Sequence, residues 1–197
     1  MKHNWISILA AAVLLLGACG RQYSPVEQAV IDHVQAQVGA DSKLMVTKIA
    51  VEDSLTYGQL LEQRIKAFEV KYQQDNKFLE KSVAKNNIKK INQFDEAKRK
   101  DLVILDALRK MDLGPKASEV VCYDVAFSGK ASTSGTETVF DGYYAAVSPQ
   151  GEVLSLTPGQ KGLHKGFGKF LPGYSDILDR AGVEDGPARD ENDPSNK

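Results

Sequence analysis

Hydrophobic positions change period at Pro115: before it they recur mostly every three or four residues, and after it mostly every second residue. Ser24-Pro25-Val26-Glu27 reads as a capping box with proline in the first helical position, the serine accepting from the third amide and the glutamate reaching back. Val26, Val30, Val34 and Val38 continue as one stripe and Gly39 supplies the stop, which predicts a helix over 25–38. From Lys43 to Asp53 the period shortens to two, with Met45, Thr47, Ile49 and Val51 alternating against Val46, Lys48, Ala50 and Glu52, as in a half-buried strand. Thr56-Tyr57-Gly58-Gln59 is a second capping signal, followed by an apolar seam of coiled-coil type through Leu61, Ile65, Phe68, Tyr72 and Leu79.

Asn86-Asn87 interrupts that seam, and a further helical pattern through Ile88, Ile91, Phe94, Leu102, Leu105 and Leu108 runs to Gly114-Pro115, a hard stop. Two long helices packed against each other, or one bent helix, satisfy the pattern of 57–112. Residues Asp95 to Lys100 carry no apolar side chain larger than Ala97, and Asp95, Glu96, Asp101 and Asp106 have the spacing of a solvated helical face.

After Pro115, Val121, Tyr123, Val125 and Phe127 alternate along one strand, and Thr133-Ser134-Gly135 breaks it. Val139, Phe140, Tyr143, Tyr144 and Val147 make a second strand, Ser148-Pro149-Gln150-Gly151 a turn, and Glu152 to Leu156 a third. Consecutive hairpins imply an antiparallel meander. One short helix is expected near Tyr174 to Ala181, and Gly186 to Lys197 holds too few apolar groups to order itself. The fold class is therefore α+β: an N-terminal helix, one strand, a long antiparallel helical pair, then a meander whose sheet packs on the helices over one face. The order of elements loosely resembles cystatin-like and NTF2-like small domains. No motif carries that likeness, so it implies architecture and no activity.

The amino terminus follows a different pattern. Trp5 to Leu16 is apolar behind Lys2 and His3, too short for a spanning helix of roughly 20 residues and sized like a signal-peptide core. Leu16-Gly17-Ala18-Cys19 at its end resembles the lipobox of bacterial lipoproteins, with Gly17 where Ala or Ser is more usual. The resemblance covers the first 19 residues and implies cleavage before Cys19, its lipidation, and a lipid anchor in the bacterial cell envelope. Gly20, in place of the Asp that directs inner-membrane retention, points to the outer membrane. The organisation that follows is a signal peptide at 1–18, a lipidated tether at 19–23, a single domain at 24–185 and an acidic tail at 186–197. Four residues separate Cys19 from Ser24, a fully extended reach of about 14 Å, which keeps the first helix near the bilayer.

Composition is that of an ordinary soluble fold, 42% hydrophobic and 26% charged, with a formal net charge of −1 that predicts no polyanionic partner and no nucleic acid. Its distribution is uneven. Lys77 to Lys100 contains eight basic residues against three acidic ones. Lys77, Lys81, Lys85 and Lys89 follow one another at intervals of four and would share a face if the helix persisted. Like charges at that spacing disfavour a helix by about 0.2–0.5 kcal/mol per pair, so the series is either a solvated face or a site for an anionic surface or acidic partner.

Candidate chemistry is sparse. The chain has two cysteines, and with Cys19 lipidated Cys122 has no partner for a disulfide. Cys122 stands in an alternating apolar run and reads as a small buried hydrophobe. His33 lies beside the stripe of the first helix, as a structural imidazole would. His164 lies in Gly159-Gln160-Lys161-Gly162-Leu163-His164-Lys165-Gly166-Phe167-Gly168-Lys169-Phe170, which reads as a crossing loop pinned by Leu163, Phe167 and Phe170, or else as an anion cradle. No HExxH, paired CxxC, GxSxG or glycine-rich nucleotide loop occurs, and neither a cofactor nor a metal is expected. The leading expectation is a membrane-anchored, non-enzymatic binding or adaptor domain, with an envelope protein or anionic surface as partner. The alternative is an envelope hydrolase using His164 and a carboxylate.

Overall fold

The computed structural model describes residues 22–133 and 135–183. Cys19, the lipobox and the acidic tail lie outside the described residues. Among the described residues four α-helices and a four-stranded antiparallel sheet follow in the order α1 (Pro25–Val38), β1 (Lys43–Thr56), α2 (Tyr57–Ala84), α3 (Ile88–Arg109), β2 (Val120–Thr133), β3 (Thr136–Val147), β4 (Val153–Pro158) and α4 (Tyr174–Ala181). Short 3₁₀ segments at Gly114–Ser118 and Phe167–Phe170 lead into β2 and towards α4. The sheet order is β1-β2-β3-β4, a meander in which β1 joins the edge of the later three strands. Among the described residues no helix is long and apolar enough to cross a membrane.

Local sequence explains the element starts. Ser24 accepts from the Glu27 amide at 3.3 Å while the Glu27 carboxylate accepts from the Ser24 amide at 2.8 Å, and Thr56 and Gln59 repeat the reciprocal arrangement at α2. Thr56 thus ends β1 and caps α2 with no intervening loop, which carries β1 three residues beyond the expected boundary at Asp53.

Residues 57–109 form two helices. Lys85 ends α2, Asn86 takes a left-handed φ of 49°, and the Asn87 side chain accepts from the Lys90 amide to start α3. The helices run antiparallel, as Phe78 against Phe94, Asn76 against Lys98 and Glu69 against Arg109 show.

The expectation of helices over one face of the sheet is corrected: each face has its own core. On one, Val30 and Val34 of α1 meet Ile49, Val125, Phe127, Ala145 and Val147. On the other, Leu60 of α2, Ile104 and Leu108 of α3, and Leu163, Phe167, Leu171 and Tyr174 of the C-terminal segment meet Leu55, Cys122 and Ala146. Alternation along β2 and β3 sends odd and even residues to opposite sides, so a sheet apolar in both registers needs cover twice. The C-terminal segment supplies much of the second cover.

The helical pair outruns the core it serves. Beyond Phe68 in α2 and before Ile104 in α3, neither helix contributes to either core. The remaining sixteen residues of α2 extend roughly 24 Å as a two-helix stalk. Its interior is partly polar. Asp101, expected on a solvated face, is 1% exposed, because α3 turns it onto α2 against Lys71 and Asp75. Leu102 and Ile88, expected in the apolar seam, are instead 45% and 66% exposed.

Candidate functional site

Two regions collect chemistry. The first is a cleft of about 220 Å³ where the end of β1, the start of α2, β2 and the 159–170 segment meet. Asp124 and His164 form part of its wall, with Asp53, Glu62, Gln63 and Lys66 around them. His164 Nε2 lies 2.8 Å from Asp124 Oδ1.

The fold positions both residues firmly. Asp124 is held in β2, paired across to Asp53 of β1 and Ala146 of β3. His164 is carried by a segment anchored on each side, by Leu163 at 2% exposure and Phe167 at 3%. Ser155 of β4 donates to the Leu163 carbonyl at 2.7 Å, and the imidazole packs on the Phe167 ring at 5.3 Å. The pinned-loop reading of this segment is therefore what the structure contains, with Gly166 in the left-handed region at φ 79° where the chain turns into the 3₁₀ segment. Gly168 is required for a different reason. A Cβ there would meet the Tyr174 ring at 2.6 Å and Arg64 Nε at 3.0 Å.

Cys122 lies behind the pair. It is fully buried, and its thiol donates weakly to Asp124 Oδ1 at 3.8 Å, the same oxygen that His164 reaches. Burial, reinforced by the Asp124 carboxylate, pushes the thiol up to about 12, while the Leu55 amide beside the sulfur pulls the other way. One ligand-type atom from each of Cys122, Asp124 and His164 falls within 4.8 Å of the others. Cys122 and Asp124 are two apart on one strand and so share a face, a relationship legible in the sequence. That His164 arrives opposite them from 40 residues away was not.

The second region is the stalk tip. The helix does not persist through the lysine series: Lys77 and Lys81 sit on α2, Lys85 ends it, and Lys89 begins the return in α3. All four are exposed, together with Lys90. Among the described residues none of Lys77, Lys85, Lys89 and Lys90 takes part in an ion pair, and Lys81 Nζ lies 5.8 Å over the Phe78 ring. Val83 and Ile88 add apolar surface there, 57% and 66% exposed.

Comparison with protein-family models, curated proteins and solved structures gave no match. The likeness to cystatin-like and NTF2-like domains accordingly rests on element order alone, and function has to be argued from these two regions.

The remaining sequence candidates are minor. His33 is half-buried on α1 and its Nε2 lies 3.0 Å from the Gln37 side chain, in a local helical pair away from both regions. Sequence reasoning missed the Lys71–Asp75–Asp101 group, although a signal existed. The seam steps from Tyr72 to Leu79 in one stride of seven, and Asp75 occupies the skipped position.

Proposed function

We propose that this protein is a lipid-anchored component of the bacterial envelope whose folded domain is a non-enzymatic adaptor, capturing an acidic partner protein with the tip of its helical stalk. The observation that carries the reading is the stalk itself. A pair of helices continues well beyond the core, and its end gathers five exposed lysines beside Val83 and Ile88. Exposed apolar groups ringed by charge of one sign suit a surface that meets another molecule. Three acyl chains at Cys19, as the lipobox resemblance implies, would already hold the protein to a bilayer. The tip is then free for a partner.

The test is crosslinking and affinity recovery from envelopes with the full-length lipidated protein, compared with a variant carrying Lys77→Glu, Lys81→Glu, Lys85→Glu and Lys89→Glu. Loss of a stoichiometric partner in the variant, with recovery from the unmodified protein weakening at high salt, supports the reading. Equal recovery by both proteins ends it. Binding of the unmodified protein to anionic vesicles alone, with no protein partner, would replace the partner by lipid.

A second reading rests on the 2.8 Å contact between His164 and Asp124 in the cleft wall. Asp124 would orient the imidazole, and His164 would act as general base towards a water in an envelope hydrolase. A covalent route through a side-chain nucleophile is not set up among the described residues: Ser54 lines the cleft without a hydrogen bond to His164, and Cys122 is buried behind Asp124. Turnover of ester or glycoside probes that disappears in His164→Ala would favour this reading over the adaptor.

A further inference from the structure

The cluster beneath the cleft combines a thiol, a carboxylate and an imidazole, the three side-chain types that zinc takes in proteins. Tetrahedral zinc, with bonds of about 2.3 Å to sulfur and about 2.0–2.1 Å to nitrogen or oxygen, sets its ligand atoms roughly 3.3–3.6 Å apart. Asp124 Oδ1 lies 2.8 Å from His164 Nε2 and 3.8 Å from Cys122 Sγ, and the whole set falls within 4.8 Å. Small side-chain rotations convert that triangle into one face of a tetrahedron. Asp124 stands on backbone paired to Asp53 of β1 on one side and Ala146 of β3 on the other, Cys122 on backbone paired to Leu55 of β1, and His164 is clamped by Leu163 and Phe167.

We propose that Cys122, Asp124 and His164 form a binding site for a zinc-class divalent cation, with the fourth coordination position facing the cleft. The expectation of no metal from sequence arose because the third ligand is remote in the chain. Three protein ligands and one open position are the pattern of zinc sites that bind an exchangeable water or a ligand, whereas structural sites close all four. Asp124 and His164 line the cleft while Cys122 does not, so the open position is on the solvent side and the sulfur is shielded from oxidants and bulk water. The site is separate from the stalk tip and does not depend on the adaptor reading.

The test uses the full-length chain in detergent, without a histidine tag and with Cys19→Ser, which leaves Cys122 as the sole thiol. After chelator treatment the protein is titrated with Co²⁺ and then Zn²⁺. One equivalent of Co²⁺ is expected to produce a near-ultraviolet thiolate-to-metal band together with the intense visible bands of a four-coordinate site, both erased by one equivalent of Zn²⁺. Cys122→Ser should abolish the thiolate band, and Asp124→Ala and His164→Ala should each weaken Zn²⁺ binding by more than about tenfold. His33→Ala and the four stalk reversals should change neither. A folded protein that shows no thiolate band overturns the proposal without recourse to any ligand variant. A band that survives Cys122→Ser, or Zn²⁺ affinity unchanged in His164→Ala, overturns it equally.

Discussion

Asp101, midway along α3 and 1% exposed, holds the Lys71 ammonium of the facing helix at 2.5 Å. Lys71 also reaches Asp75 at 3.2 Å, so one ammonium serves two carboxylates inside the stalk. Asp101 Oδ2 is buried with no hydrogen-bond partner. Burial, helped by the Asp75 carboxylate, pushes the Asp101 carboxyl above its ordinary value of 3.8 despite the nearby Lys71 ammonium.

A pH dependence with a definite sign follows. Between the ordinary value and the raised one, the folded protein binds more protons at Asp101 than the unfolded chain does. This residue's contribution to stability therefore falls as pH rises through that window. Asp101→Asn should remove this contribution, so that unfolding midpoints of variant and unmodified protein in urea differ by an amount that changes across the weakly acidic range. A constant difference would show that Asp101 does not titrate there.

Arg64 donates through Nη2 to the Tyr174 hydroxyl at 2.7 Å and lies 5.4 Å from the same ring, tying α4 to the base of the stalk. Arg64 Nε is already buried without a partner. Tyr174→Phe leaves a second nitrogen of the same guanidinium without its acceptor and should cost about 1–3 kcal/mol, read as a lower denaturation midpoint. An unchanged midpoint would mean that water replaces the hydroxyl at no cost.

Gly168 is packed against that same ring, with no room for a methyl group. Gly168→Ala should destabilise by roughly 1–3 kcal/mol through displacement of Tyr174 and Arg64, a loss of about 2–4 °C in Tm per kcal/mol for a chain of this size. The same substitution at Gly151, where a Cβ meets nothing within 4 Å, strains only the backbone at φ 84° and separates the two causes.

Helix caps should differ in their reach. Thr56→Ala removes a cap at the junction of β1 and α2, beside the core residues Leu55 and Leu60, and should lower global stability by about 1 kcal/mol. Asn87→Ala removes the α3 cap at the stalk tip, beyond both cores. Faster amide exchange confined to the tip is expected there, with little change in the global transition. Equal losses from the two substitutions would show that the stalk unfolds with the body.

Much of the fold is legible because its signals are local. Ser24 with Glu27, Thr56 with Gln59, and Asn86-Asn87 act within a few residues of themselves, and each marks an element boundary found in the structure. Alternation from Val121 to Phe127 likewise gives a strand without knowledge of its neighbours. At the seam positions, Asp101 was misread and Asp75 passed over for the opposite reason. A carboxylate on a helix looks solvated until the partner helix and its Lys71 are in place.

The sequence by itself determined the order of helices and strands, the capping residues, the break at Asn86-Asn87 and the clustering of lysines around it, because periodicity and capping depend on neighbours within a turn or two. Its lipobox-like start lies outside the described residues and remains a reading of the sequence. Only the tertiary structure decided that the sheet carries a core on each face, that the helical pair outreaches both, and that His164 meets Asp124 beside Cys122. Those outcomes depend on contacts between residues remote in the chain, such as His164 with Asp124, or on which of two amphipathic faces a partner covers. Spacing along the chain does not encode that choice.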